Sequence, residues 1–139
     1  MRYWLFKSEP ETWSWDDQVA RGEAGEEWDG IRNYQARNNM REMRIGDRGF
    51  FYHSVKDREI VGIVEVCRES HPDSTTDDER WDCVDVKAVR PVATPVGLAR
   101  IKAHPGLADM ALVRQSRLSV TPVTPEEWAI LCELGDTDP

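Results

Sequence analysis

The segment Trp28–Asn39, WDGIRNYQARNN, carries more information about the fold and the ligand of this chain than any other stretch. It places a tryptophan beside amide and guanidinium side chains in an otherwise acidic protein. It has too few large apolar residues for an ordinary core segment and too many flat hydrogen-bonding groups for an ordinary solvated surface. Planar amides and guanidiniums next to an aromatic ring suit a planar polar ligand, and a nucleobase is the commonest such ligand.

Length and composition indicate one folded domain covering residues 1–139. Apolar residues make up 40% of the chain and charged residues 32%, and no low-complexity tract is present. No apolar run is long enough to cross a bilayer, and the first residues do not follow a signal-peptide pattern. The three cysteines, Cys67, Cys83 and Cys132, are widely spaced, which favours reduced thiols over a disulfide framework. We expect a monomeric cytoplasmic protein with no membrane partner.

The net charge of −8 argues against a general nucleic-acid binder, but the charge is unevenly distributed. Residues 32–48 hold five arginines against two acids, and residues 100–120 hold four bases against one acid. The acids concentrate in residues 9–29, in residues 65–85 and in the C-terminal tail. The two basic segments predict a local basic surface if they meet in space. The alternative is that their arginines pair with the chain's own carboxylates.

Hydrophobic periodicity and capping signals predict an α+β fold, a small mixed β-barrel flanked by short helices. Strands are expected at residues 2–7, 48–55, 59–68, 81–89 and 117–123, and residues 69–80 are expected to form an acidic loop. Helices are expected from Ser14 to about Gly22, from Asn33 to about Arg44, at residues 98–103 and 106–112, and after Thr124.

Two local patterns make sharper predictions about packing. Ala36, Met40 and Met43 follow helical spacing and should face the core. Gly62 interrupts a strand pattern, which predicts a β-bulge or a close approach to the backbone at this position.

Signatures of catalysis and metal binding are absent from the sequence. It contains no phosphate-binding glycine loop and no dinucleotide fingerprint. The histidines are not at metal-ligand spacing, and His71 follows Cys67 by four residues but is expected in a loop. His53 and Ser54 are neighbours on a strand and should point to opposite faces. We therefore expect no catalytic residue, no metal and no cofactor.

The six tryptophans differ in how strongly their sequence positions indicate a contact with a ligand. Trp4, Trp81 and Trp128 follow core or sheet patterns and are interpreted as structural. Trp13 and Trp15 flank a helix start, where the favoured interpretation is that they anchor the helix. Trp28 lies outside any periodic element and is the better candidate for stacking on a ligand, an interaction that contributes about 1–3 kcal/mol per base.

Several motifs together resemble the EVE domain family over residues 3–131. They are Trp4–Pro10, Trp28–Asn39, Gly46-Asp47, Phe51–Ser54, Gly62–Val66, Trp81, Val84–Val86 and Arg114–Val120. The resemblance implies a PUA-like fold, similar in architecture to YTH and ASCH domains. It also implies a non-catalytic pocket for a modified base, such as methylated or hydroxymethylated cytosine in DNA, or a modified base in RNA.

The resemblance also implies which residues form the pocket. Trp28 would supply a stacking wall, opposed by Tyr52 or Pro10. The base pocket is predicted to contain Ser8, Pro10, Trp28, Asn33, Tyr52, His53, Ser54, Ser116 and Ser119. The phosphate-binding residues are predicted to be Lys7, Arg32, Arg37 and Arg117.

Two other functions stay open at this point. The first is a small hydrolase or nuclease related to ASCH-like domains, whose turnover would depend on Lys7 or His53. The second is an accessory protein whose pocket binds a free nucleoside-like ligand in place of modified DNA or RNA.

Overall fold

One mixed sheet of six strands forms the centre of the computed structural model, which describes every residue from Met1 to Pro139. The strands are β1 (Tyr3–Ser8), β2 (Glu26–Glu27), β3 (Arg48–His53), β4 (Glu59–Pro72), β5 (Asp82–Gly97) and β6 (Val120–Val123). Their order in the sheet is β2-β5-β4-β3-β1-β6. Only β1 and β3 run parallel, and every other neighbouring pair is antiparallel.

Five short helices surround the sheet, and their predicted caps are confirmed. They are α1 (Trp15–Ala20), α2 (Tyr34–Glu42), α3 (Leu98–Ala103), α4 (Ala111–Arg114) and α5 (Pro125–Leu134), with 3₁₀ turns at Gly22–Ala24 and Pro105–Leu107. Ser14 and Thr124 form reciprocal capping boxes. Asn33 caps α2 by accepting from the Ala36 N–H at 2.9 Å. None of these helices combines the length and hydrophobicity needed to span a membrane.

Side chains of the central strands belong in alternation to two hydrophobic clusters, one on each face of the sheet. Along β1, Leu5 belongs to the first cluster, whereas Trp4 and Phe6 belong to the second. Helix α5 covers the first cluster with Trp128, which stacks on Phe50 at a centroid distance of 4.1 Å. This period-two pattern is the expected outcome for strands buried on both faces.

Helix α2 covers the second cluster and joins distant strands of the sheet. Its residues Ala36 and Met40, together with Met43 just beyond its end, are fully buried, as the helical spacing predicted. The helix packs on both β5 and β6, and the Asn39 side chain donates to the Val120 carbonyl at 2.8 Å. The mixed α+β fold predicted from the sequence is confirmed.

The lengths of β4 and β5 correct the sequence prediction. Residues 69–72 continue β4, so His71 lies on a strand and the acidic loop begins only at Asp73. Strand β5 continues to Gly97 through Pro91 and Pro95. Because β2 pairs with β5 only around Val86, the outer edge beyond it has no strand neighbour and tolerates residues that lack an N–H.

Smaller differences lie at the ends of elements. Strand β3 stops at His53 because the chain then turns through residues with positive φ, including Val55 at 68°. Helix α2 ends at Glu42, two residues before the expected Arg44. The last strand begins at Val120, since residues 115–119 form the turn that follows α4.

Gly62 confirms the expected close approach. A Cβ atom at this position would lie 2.4 Å from a ring carbon of Trp15, and the β4–β5 register shifts between Ile60 and Gly62. The Trp15 ring also packs edge-on against Phe51, with 5.4 Å between centroids. The missing side chain therefore leaves room for the indole that fastens α1 to the sheet.

We expect Gly62→Ala to lower the free energy of unfolding by about 1–3 kcal/mol, because the added methyl group overpacks a filled site. Urea denaturation measures this change. Gly97→Ala is the matched control, since a Cβ there meets nothing within 4 Å. An equal loss in both variants would contradict the role assigned to the Gly62–Trp15 contact.

Candidate functional site

A cavity of about 500 Å³ opens beside the end of β1. This volume lies within the range of about 300–1,000 Å³ found for small-molecule pockets. Its lining comes from the end of β1, the turn before α1, and the segment that contains β2. The lining residues are Lys7, Ser8, Glu9, Thr12, Trp13, Glu26, Glu27, Trp28, Asp29, Gly30 and Ile31.

Trp28 belongs both to the hydrophobic core and to the cavity wall. Its indole packs edge-on against Phe6 at 5.2 Å and against Phe51 at 5.6 Å, and only 6% of the residue is exposed. Its backbone N–H donates to the Val84 carbonyl at 2.8 Å. The sequence interpretation of Trp28 as a residue outside the core is therefore incomplete, although the residue does line the opening beside Lys7 and Ser8.

Trp13 provides a second aromatic wall, although the favoured interpretation of the sequence was that it anchors the helix. Its indole N–H donates to Gln18 Oε1 at 3.0 Å, and the buried Gln18 side chain donates in turn to the Val86 carbonyl at 2.9 Å. The Ser8 hydroxyl donates to the Trp13 carbonyl at 2.5 Å. One feature of the sequence does indicate that Trp13 lies near the ligand site. It follows the Trp4–Pro10 motif by only three residues.

The cavity is acidic. Four carboxylates line it, from Glu9, Glu26, Glu27 and Asp29, against the single amine of Lys7. Partial burial raises the pKa of Asp29, and the nearby charge of Asp73 raises it further. Burial lowers the pKa of Lys7, whose Nζ donates to the Ser116 carbonyl at 2.8 Å. Such a lining favours a ligand that presents hydrogen-bond donors.

A basic groove of about 350 Å³ adjoins the cavity and shares Lys7 with it. The groove contains three cations, Lys7, Arg58 and Lys102, and no carboxylate. It is lined by Lys7, Tyr52, Ser54, Val55, Arg58, Leu98, Lys102, Leu112, Val113 and Ser116. An acidic aromatic cavity and a basic groove thus lie on either side of one lysine.

The predicted base-pocket residues separate into three groups. Ser8 and Trp28 line the cavity, whereas Tyr52, Ser54 and Ser116 line the groove. The remaining four, which line neither, are Pro10, Asn33, His53 and Ser119.

Three of these four residues have structural partners. The Asn33 side chain caps α2. His53 Nε2 accepts from the Trp15 backbone N–H at 3.1 Å. The Ser119 carbonyl accepts from the Lys7 backbone N–H at 2.9 Å.

Carboxylates from other parts of the fold neutralise most arginines of the basic segment 32–48. Arg32 pairs with Asp73 at 3.0 Å, and the remaining pairs in this segment are Arg41–Asp82, Arg44–Glu69 and Arg48–Glu65. Arg37 donates to the Arg80 carbonyl at 3.0 Å and lies over the Tyr34 ring, without a carboxylate partner. Arg117 is exposed and forms no ion pair. Among the residues that line the cavity or the groove, the cations Lys7, Arg58 and Lys102 form no ion pair.

Asp73, the first residue of the acidic loop, forms hydrogen bonds to the segment that lines the cavity. Its carboxylate accepts from the Gly30 N–H at 2.9 Å, from the Arg32 guanidinium at 3.0 Å, and from the Thr75 hydroxyl at 2.5 Å. Burial alone would raise the pKa of Asp73, but these hydrogen bonds lower it to about 2. The ionised carboxylate thus fastens the chain that follows Trp28.

Comparisons with known proteins agree with this architecture. The family described as "EVE domain" matches residues 2–134. Protein Atu2648 from Agrobacterium tumefaciens has a crystal structure that superposes with a TM-score of 0.99 at 58% identity, covering 100% of this chain and 97% of that one. Thymocyte nuclear protein 1 of Mus musculus is 37% identical, with 99% of this chain and 75% of the mouse protein aligned.

A human relative has been crystallised with a ligand. Human THYN1 in complex with 5-methylcytosine-containing DNA superposes with a TM-score of 0.93 at 33% identity, and both chains are covered completely. The family match spans nearly the whole sequence, and both related structures superpose along the full length of this chain. The chain belongs to the EVE domain family.

Proposed function

We propose that this protein is a non-catalytic nucleic-acid-binding module whose cavity holds one modified base extruded from a strand. The observation that carries the proposal is the pair of indoles, Trp13 and Trp28, that line one cavity of suitable volume beside Lys7 and Ser8. The human relative crystallised with 5-methylcytosine-containing DNA supports it by analogy. A flipped base requires such a recess, because its faces must exchange stacking in the helix for stacking on protein.

The acidic lining suits the edge of a cytosine. The N4 amino group of cytosine is a hydrogen-bond donor, and Asp and Glu carboxylates are its usual acceptors in proteins. Glu27 already accepts from Ser74, but the carboxylates of Glu9 and Asp29 accept no hydrogen bond within the protein. We infer that one of these two carboxylates receives the amino group of the base.

The basic groove suits the phosphates that flank the extruded base. Lys7 lies at the junction, so a strand whose base enters the cavity would direct its backbone over Arg58 and Lys102. Contacts to phosphate position a nucleic acid without reading its sequence. In this arrangement the cavity supplies the chemical selectivity and the groove supplies the salt-sensitive affinity.

The geometry offers no observation that favours the enzyme alternative. The two side chains on which turnover was expected to depend are both engaged. His53 Nε2 accepts from the backbone of α1, and Lys7 Nζ donates to the Ser116 carbonyl.

Fluorescence titration with short single-stranded oligonucleotides tests the proposal. We expect DNA carrying one 5-methylcytosine to bind about fourfold more tightly than its unmodified counterpart, since burying one methyl group contributes about 0.8 kcal/mol. The RNA counterpart and free 5-methyldeoxycytidine are titrated in parallel. Equal affinity for modified and unmodified strands would refute base selectivity. A free nucleoside that binds as tightly as the oligonucleotide would favour the accessory-protein alternative.

The same titration, repeated at several salt concentrations, measures how much the basic groove contributes to the affinity. Lys102→Ala should weaken modified and unmodified oligonucleotides alike and reduce the slope of log K against log salt by about 1. Arg100→Ala is the matched control, because Arg100 lies on the same helix but outside the groove lining. The same slope change in both variants would mean that the groove has no special role.

A further inference from the structure

Three strands bring together side chains of different chemistry directly behind the cavity. Glu27 of β2, His71 of β4 and Cys83 of β5 each offer one ligand atom, and these atoms all lie within 4.8 Å of one another. Cys83 is completely buried, and the other two side chains are partly buried. Asp85 of β5 is adjacent, with Oδ1 2.7 Å from His71 Nε2.

We propose that Glu27, His71 and Cys83, with Asp85 as the fourth ligand, form a structural zinc site that joins β2, β4 and β5. Thiolate, imidazole and carboxylate are the ligands that zinc takes in proteins, usually in tetrahedral sets of four. A set that mixes sulfur and nitrogen with oxygen favours zinc over magnesium or calcium, which prefer oxygen ligands alone.

The two separations from the Cys83 sulfur are close to those around a tetrahedral ion. Zinc bonds of about 2.0–2.3 Å correspond to separations of roughly 3.3–3.8 Å between neighbouring ligand atoms. Cys83 Sγ lies 3.4 Å from Glu27 Oε1 and 3.9 Å from His71 Nε2. Small side-chain rotations of His71 and Asp85 would open their 2.7 Å contact to the same separation.

The hydrogen bonds around His71 also fit a metal ligand. Nδ1 lies 3.0 Å from the Pro72 carbonyl, and Nε2 faces the Asp85 carboxylate, so both ring nitrogens face acceptors. A neutral imidazole carries only one N–H. An ion at Nε2 satisfies both contacts, because Nδ1–H then donates to Pro72 as the outer partner of a metal-bound histidine commonly does.

Glu27 is oriented in a comparable way. Its Oε2 accepts from the Ser74 hydroxyl at 2.8 Å, while Oε1 accepts from the Ser74 backbone N–H at 3.3 Å and lies 3.4 Å from Cys83 Sγ. Strand β2 is only two residues long and is followed at once by Trp28. An ion that joins Glu27 to β4 and β5 would fasten this short edge strand and the cavity wall that follows it.

The sequence predicts no metal site here, because His71 follows Cys67 by only four residues and the pattern places His71 in a loop. The observed extension of β4 instead pairs His71 with Cys83 across the β4–β5 ladder.

Metal titration of the purified full chain tests the site. We expect one zinc ion per chain by elemental analysis after gel filtration. Cobalt(II) should give a sulfur-to-metal charge-transfer band that zinc abolishes by competition. Zinc should also raise the melting temperature, and a chelator should reverse that rise, since an ion bound only by the folded state stabilises it.

Cys83→Ala should abolish the charge-transfer band, and His71→Gln should weaken metal binding by at least about tenfold. Cys67→Ala is the matched control, because it removes a thiol of β4 that lies outside the set. A wild-type chain that gives no band and no zinc-dependent rise in melting temperature would overturn the proposal, even if Cys83→Ala fails to fold. A band that survives in Cys83→Ala, or disappears in Cys67→Ala, would overturn it as well.

Discussion

Replacing Trp28 with alanine is expected to lower the free energy of unfolding by about 3–5 kcal/mol, the usual range for truncating a buried aromatic side chain. The indole is 6% exposed and packs edge-on against Phe6 and Phe51. Its removal would leave a void between the sheet and the cavity. Urea denaturation followed by circular dichroism measures the change.

Trp81→Ala is the comparison that isolates this effect. Trp81 stacks on Tyr34 at 5.0 Å but belongs to neither hydrophobic cluster, so its truncation should lower stability by less. If the Trp28 variant lost no more stability than the Trp81 variant, the indole would not be part of the core. The result also decides how a binding loss in Trp28→Ala is interpreted, since an unfolded fraction binds nothing.

Replacing Trp13 with alanine is expected to weaken binding of a 5-methylcytosine oligonucleotide by about 1–3 kcal/mol, or roughly 5–150-fold, through the loss of one stacking surface. Trp13 is only partly buried and packs against the margin of the second cluster without being one of its buried members, so the fold should survive its removal. Fluorescence anisotropy of a labelled oligonucleotide measures the affinity, and a thermal melt of the same sample verifies the fold.

Trp13→Phe separates stacking from hydrogen bonding. Phenylalanine keeps an aromatic face but cannot donate to Gln18 Oε1, which accepts from the indole at 3.0 Å. We expect Trp13→Phe to retain most of the affinity. If phenylalanine and alanine lower the affinity equally, the role of Trp13 is to position Gln18, and the stacking model is wrong.

Local signals in the sequence predicted the helices well. Ser14, Asn33 and Thr124 each cap the helix that the pattern assigned to them. Such caps depend on hydrogen bonds between residues three apart, so the sequence carries the whole interaction. The core position of Met40 follows in the same way from helical spacing.

Predictions that depended on contacts between residues far apart in the sequence were less complete. The basic segments 32–48 and 100–120 predict one basic surface only if they meet in space, and Arg32 and Arg41 instead pair with acids about forty residues away. These arginines therefore follow the alternative prediction, in which they pair with the chain's own carboxylates. Which carboxylate an arginine meets depends on how strands are arranged, and local spacing does not contain that information.

The sequence by itself determined the helix caps, the core-facing positions Ala36 and Met40 of α2, and the family, because these depend on neighbouring residues or on the order of motifs. Only the tertiary structure decided that Trp13 joins Trp28 at one cavity and that His71 lies opposite Cys83. Both arrangements depend on the register and length of paired strands. A shift of one residue would turn the side chains to the other face, and that choice is made by packing across the whole sheet.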